Sequence, residues 1–245
     1  MIFKASAILL LLGAVPSCVD MIDDGRIIEI ENGPAITRTI EAQEFERLTV
    51  AGRYEVIVVE GDTPAIEITG PEAALNRTEF EFEGDELTIR PDDEDNAIIR
   101  WSEGTEVTVR ITTAALKEAT IAGSGTIRLE AVDAEAFEGT IAGSGDLRIP
   151  ALATKRASFN IGGSGDIAVG GRADSLDVAI AGSGGFEGPG LAVTSADIAI
   201  AGSGDVTAQV SGEADISIAG SGDVALTGGA TCEVSKFGSG DVVCS

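Results

Sequence analysis

No histidine occurs anywhere in this chain, so the commonest general base and the commonest metal ligand are both missing. Aromatics are scarce at 4% of residues, with one Trp and one Tyr, although hydrophobic residues reach 44%. A core of that kind is built from Ile, Val, Leu and Ala, which suits thin sheets stacked in register better than a bulky globular centre. Bases are few as well: 16 Lys and Arg face 41 Asp and Glu, giving a net charge of −25. Neither a basic stripe nor an aromatic-basic cluster is present, and such a surface repels nucleic acid and other polyanions. The electrostatics leave attraction to divalent cations or cationic partners, beside the plainer role of keeping an exported protein soluble.

Long apolar runs are confined to the first residues. Residues 1–17 read as an export signal, with Lys4 as the n-region charge and Ala7 to Val15 as a short apolar h-region. That segment is too short for a permanent bilayer span. It is followed by Val15-Pro16-Ser17-Cys18, which resembles a bacterial lipobox with Cys18 as the lipidated first residue, although Pro16 and Val15 depart from the usual pattern. The alternative is simple cleavage with release. Cysteine arithmetic favours lipidation: of only three cysteines, Cys18 as lipid acceptor leaves Cys232 and Cys244 as a pair. Residues 18–35 read as an acidic tether with one short strand at Arg26 to Ile30.

The second half carries the strongest signal. Gly-Ser-Gly recurs seven times, with serines at 124, 144, 164, 183, 203, 221 and 239, spaced by 20, 20, 19, 20, 18 and 18 residues. Two residues before each first glycine stands Ile121, Ile141, Ile161, Ile180, Ile200 or Ile218, until Lys236 breaks the row. Just past the second glycine stands Asp146, Asp166, Asp205, Asp223 or Asp241, with Thr126 and Gly185 as exceptions. A short motif at this period, flanked by alternating apolar residues, marks a solenoid whose coils stack on one another. The expected fold is therefore all-β: a right-handed parallel β-helix with coils of 18–20 residues over 119–245 and a less regular β-rich N-terminal part. Ladders of Ile and Val would line the inside at about 4.8 Å spacing, and seven coils would rise roughly 34 Å. An open edge strand at the end invites polymerisation, so a cap is expected. Cys232 and Cys244 share the inward parity of Ile198 and Ala208, so their disulfide would cross the last coil and contribute about 3 kcal/mol.

Before the repeats, Phe45 to Val50, Tyr54 to Val59, Ala65 to Thr69 and Glu106 to Ile111 alternate as strands. Pro71 to Leu75 suits one helical turn. Glu79 to Glu83 and Glu86 to Ile89 suit adjacent strands joined by a tight turn at Gly84-Asp85. Pro91 to Asn96, with four successive acids, reads as a solvated loop.

The segment Phe45-Glu-Arg-Leu-Thr-Val-Ala-Gly-Arg-Tyr-Glu-Val-Ile-Val-Val-Glu-Gly61, the stretch Gly84-Asp-Glu-Leu-Thr-Ile89 and the Ile-Ala-Gly-Ser-Gly-Asp repeats together resemble the bacterial family named putative auto-transporter adhesin, head GIN domain, formerly a domain of unknown function. The resemblance spans roughly 36–245. It implies a β-helical extracytoplasmic protein, often with a lipoprotein-type signal, and brings no catalytic residues with it. No segment of the sequence reads as a translocator barrel.

The candidate chemistry is thin. The ladder Asp146, Asp166, Asp205, Asp223 and Asp241 could bind cations such as calcium, or simply cap turns in an Asx-type arrangement. The repeated serine superficially matches a hydrolase motif, yet it recurs seven times and no histidine exists to activate it. Serine hydroxyl-to-backbone bonds are the better account of it. Coils this short carry no insertion to wall a polysaccharide-lyase groove, Lys155-Arg156 reads as a solvated turn, and Trp101 as an edge-packed core aromatic. No cofactor is expected. The reading is a non-catalytic cell-envelope protein, exported to the periplasm, outer membrane or cell surface and held to the membrane only by lipid. It would act as an adhesin-type module for an envelope or cell-surface protein or glycan. A structural envelope lipoprotein without soluble ligand is the alternative, and a carbohydrate-active enzyme the remote one.

Overall fold

The computed structural model describes residues 27–30, 32–92, 98–102 and 104–245. The signal, Cys18 and most of the tether lie outside the described residues, as does most of the acidic loop after Pro91.

From β10 (Glu118–Gly123) and β11 (Thr126–Leu129) onward the chain winds into a parallel β-solenoid of about six turns. Register is strict. Ile121 pairs with Ile141, Ile141 with Ile161, Ile161 with Ile180, Ile180 with Ile200 and Ile200 with Ile218. Because strand side chains alternate, each of these residues points inward and is buried, together with the second row Ile127, Leu147, Ile167, Phe186, Val206 and Val224. Alternation breaks at three places per coil: first at the motif, Gly163 to Gly165, second after Val169 at Gly170 to Arg172, and third at Asp174-Ser175, so each coil has three corners. The inside is aliphatic, with an aromatic stack of Phe137, Phe159 and Phe186 at ring separations of 6.1 and 5.2 Å.

Glycine is indispensable at the motif corner. The first glycine of every motif has φ between +134° and +145°, a region open chiefly to glycine. A Cβ on Gly163 would also lie 2.1 Å from the carbonyl oxygen of Gly143, one coil below. The motif's backbone closes the gap with hydrogen bonds along the stack: Ser164 N–H donates to Gly143 O at 2.9 Å and Ser203 N–H to Gly182 O at 2.8 Å. The ladder thus runs through the serine amides, where hydroxyl-to-backbone bonds were expected.

The N-terminal third is more ordered than its sequence suggests, and it is wound out of chain order. β1 (Ile27–Ile30), β2 (Ala35–Ile40), β3 (Arg47–Gly52), β4 (Glu55–Glu60) and β5 (Ala65–Pro71) lead to the single turn α1 (Glu72–Leu75). β6 (Thr78–Glu83), β7 (Glu86–Pro91), β8 (Ile98–Trp101) and β9 (Thr108–Thr113) follow. β3 pairs in parallel with β10, and β4 with β11, placing Ala51-Gly52 beside Ala122-Gly123 and Val56 beside Ile127. Ala51-Gly52-Arg53-Tyr54-Glu55-Val56 is therefore a disguised copy of the repeat, with Tyr54 where the second glycine belongs. Beneath it lies a coil made by later residues, since β7 pairs in parallel with β3 and β9 with β4.

That lowest coil is closed by antiparallel strands. β6 pairs with β7 across the Gly84-Asp85 turn, and β5 lies between β9 and β2. Phe45 meets Phe82 at 6.3 Å, and Trp101 meets Tyr54 edge-on at 5.8 Å. β1 and β8 form a separate two-stranded parallel pair. At the far end, Thr231–Gly238 and Val242–Cys244 form the last coil, crossed by the Cys232–Cys244 disulfide. Lys236 takes the isoleucine position over Ile218 and its ammonium donates to Gly240 O. Its methylene stem and the disulfide stand where an open core would otherwise face water.

Candidate functional site

The residues just before each motif corner point alternately in and out. Their outward rows are what the solenoid offers a partner on this face. One row runs Asn160, Ala179, Ala199, Ser217, Ser235 and its neighbour Gly162, Ala181, Ala201, Ala219, Phe237, each residue in register with the next. Small side chains in both rows leave a shallow trough of about 640 Å³ across five coils, floored by the buried isoleucines and bounded at one end by Phe237. Phe237 is 86% exposed, whereas Phe45, Phe137, Phe159 and Phe186 are buried.

Carboxylates flank the trough on both sides. On one side Asp177, Asp197 and Asp215 stack in register, continuing to Glu233. Burial, with Asp197 alongside, pushes the Asp177 carboxyl above its usual range. On the other side, beyond the serines, stands the predicted aspartate ladder. Its carboxylates accept from backbone amides one coil on, not from their own turns: Asp166 Oδ1 from Gly185 N–H at 2.8 Å, Asp205 Oδ1 from Asp223 N–H at 3.0 Å, Asp223 Oδ1 from Asp241 N–H at 2.7 Å. The Asx-type expectation is corrected accordingly. These three donors offset the repulsion between stacked like charges. Asp146 instead lies 3.6 Å from Arg148, and among the described residues no group of three or more His, Cys, Asp or Glu is placed to hold a metal ion.

The other singled-out residues fall apart spatially. Lys155 pairs with Glu135 at the third corner, 3.2 Å away and well exposed, and holds the Glu135 carboxyl below its ordinary range. Trp101 packs at the N-terminal end against Tyr54, half-buried, as an edge aromatic. Tyr54 itself is buried, its hydroxyl pushed up to about 12 by desolvation, with Thr78 working weakly the other way. What the sequence did not reveal is the trough itself. Its signal was present: outward positions before the motif hold Ala, Ser or Gly where an exposed strand ordinarily carries long polar side chains.

The solenoid is shared with solved structures of bacterial proteins. It is similar to a protein described as a putative adhesin from Bacteroides fragilis (TM-score 0.80, 20% identity, 89% of this chain and 100% of the other). It is also similar to a protein described as a putative lipid binding protein from Parabacteroides distasonis (0.71, 23%, 89% and 100%) and to a putative adhesin from Parabacteroides merdae (0.67, 18%, 90% and 100%). At these identities the likeness is one of fold. No curated protein matches the chain. The profile of one family covers residues 44–230, from the disguised first repeat almost to the disulfide, and by that match the chain belongs to the family "putative auto-transporter adhesin, head GIN domain".

Proposed function

We propose that this protein is a non-catalytic, adhesin-type binding module of the cell envelope, exported by residues 1–17, anchored through lipid on Cys18 and presented on the acidic tether 18–35. The observation that carries this reading is the alanine-rich trough ending at Phe237. Exposed apolar surface spread over several coils is costly on a soluble chain, and contiguous patches of this sort mark interaction sites. A rigid stack presents it without ordering cost on binding. An envelope lipoprotein with a purely structural role needs no such face, and a hydrolase needs an acid-base constellation that the repeat does not supply. Family and neighbour names point the same way.

The test places charge in the trough without disturbing the core. Ala201→Glu and Phe237→Ser are exposed changes expected to leave the far-UV spectrum and melting temperature near wild type. Both should reduce adhesion of beads coated with the protein to envelope fractions and cell surfaces. Unaltered adhesion by both would remove the trough from the function. Anchoring is tested separately by globomycin, which should block maturation in the wild type and have no effect on Cys18→Ala.

A further inference from the structure

We infer that the second corner of the solenoid is a binding groove for an acidic saccharide, read by Arg128 and Arg148. The proposal rests on the surface-binding reading but uses a different face from the alanine trough.

Three independent features meet there. The first is where the coils differ in length. The last turns take 18 residues and the middle ones 19 or 20, and register slips place most of the difference at one corner, between Ile149 and Leu152, between Ala168 and Gly170, and between Gly188 and Ala192. The motif corner keeps register throughout these coils, and the third corner changes by one residue only once, between Val193 and Ala196. Extra residues in a repeat array gather on the face that binds, and bulges of this kind re-aim neighbouring side chains. The second feature is the shape they produce. A groove of about 570 Å³ opens along this corner, floored by Pro150, Ala168, Gly170 and Pro189, within the roughly 300–1,000 Å³ of small-ligand sites.

The third is chemistry. Arg128 and Arg148 stand side by side on adjacent coils, both on the groove wall and 45% and 50% exposed. Among the described residues each has one carboxylate within 4 Å: Arg128 Nε donates to Glu55 at 3.2 Å, and Arg148 lies 3.6 Å from Asp146. Most of their ten N–H donors therefore face solvent. Like charges directly opposite each other are unfavourable; Glu55 and Asp146 offset this from their own sides, and an anion bridging both guanidiniums would offset it further. Glu130 and Glu187 line the same groove, and ionised carboxylates only accept hydrogen bonds. A ligand that satisfies this wall must bring an anionic group for the guanidinium forks and hydroxyl donors for the glutamates. It must also bring a flat C–H face for the proline and glycine floor. A carboxylate-bearing sugar has all three; an acidic peptide such as tetraglutamate offers backbone N–H donors but no flat C–H face for the floor, and brings more negative charge toward the two glutamates. Carboxylates elsewhere on the chain are largely screened beyond about 8 Å at physiological ionic strength, so the groups at the groove itself set the local field.

Titration calorimetry on the purified full chain tests the assignment, with trigalacturonate and 3′-sialyllactose as acidic probes, lactose as the neutral comparator and tetraglutamate as the acidic peptide. At least one acidic saccharide should bind, about tenfold or more tighter than lactose and tetraglutamate, and weaken by about tenfold in Arg148→Ala. Arg128→Ala/Arg148→Ala should abolish it and Lys155→Ala should not change it. Because both arginines are half exposed, the variants should melt with the wild type. No heat from either acidic saccharide at about 10 mM, equal binding of tetraglutamate, or wild-type affinity in the double variant would each overturn the inference. Adhesion that persists in the double variant while Ala201→Glu abolishes it would sink the groove and spare the trough.

Discussion

Two adjacent glycines in the third motif should respond to the same substitution with opposite sign. Gly163 has φ +137°, and a Cβ there would lie 2.1 Å from Gly143 O and 3.0 Å from Gly143 C. The clash is with backbone that already accepts from Ser164 N–H at 2.9 Å, so it cannot be relieved by a rotamer. Relief means opening the coil spacing and giving up one or two ladder bonds at about 1 kcal/mol each, on top of about 1–3 kcal/mol for a side chain in that backbone region. Gly163→Ala should therefore cost about 3–5 kcal/mol, a large share of the roughly 5–15 kcal/mol that holds a domain together. Gly162 has no positive φ, and its Cβ would meet nothing nearer than Ile141 O at 3.7 Å. Ala122, Ala142, Ala181, Ala201 and Ala219 occupy the same position in other coils. Gly162→Ala should stabilise by about 0.4–1 kcal/mol through the unfolded chain. Urea titrations followed by far-UV dichroism and by Trp101 fluorescence give both changes. The fluorescence reports the N-terminal end, so a solenoid that opens piecemeal separates the two curves. A Gly163→Ala protein within 1 kcal/mol of wild type, or a Gly162→Ala protein less stable than wild type, would refute the close-approach argument.

Tyr54→Phe should stabilise by up to about 1 kcal/mol in the same titration, because among the described residues the buried Tyr54 hydroxyl meets only a weak interaction with Thr78 and no well-formed hydrogen bond; a loss would mean that Thr78 pairs it fully. Asp205→Ala strands the Asp223 amide and should cost about 1–2 kcal/mol, whereas Asp205→Asn keeps the acceptor and should cost less. Calcium should leave the melting temperature of the wild type unchanged, and a rise that disappears in Asp205→Asn/Asp223→Asn would restore the cation reading. The raised Asp177 carboxyl makes the folded chain bind its proton more tightly than the unfolded chain does, so stability falls as pH rises from the ordinary carboxylate range through the folded value. Asp177→Asn should melt higher than wild type at neutral pH, with the gap closing in acid; a gap independent of pH would assign the effect to packing. Reduction of Cys232–Cys244 removes a short closed loop and should loosen the last coil by about 3 kcal/mol, read as faster amide exchange confined to residues after Thr231.

Much of the architecture was legible because the signal was local and repeated. An isoleucine two residues before a glycine that needs positive φ tells both which way the strand faces and where it turns, and seven copies leave little choice of stacking. The N-terminal winding was not legible. Tyr54 and Arg53 hide the first copy by replacing glycine and serine, and nothing local says that β7 and β9, later in the chain, lie beneath β3 and β4. That order is set by long-range pairing, which periodicity does not encode. The aspartates were placed at the correct corner, but their donors are 18 or 19 residues away. Within a single turn the competing Asx geometry looked equally good. The groove at the second corner was visible only as unequal spacing, and the direction of Arg128 and Arg148 follows from a register that pairing alone reveals.

One consequence of identical 18-residue periods near the end concerns size. Excising Gly202 through Ala219 would splice Ala201 onto Gly220, the neighbour that Ala219 already has. The first and final layers would be untouched, and the rod would shorten by one strand spacing of about 4.8 Å. Length in such a molecule is an adjustable dimension, free to drift by gain or loss of whole layers while both ends stay sealed.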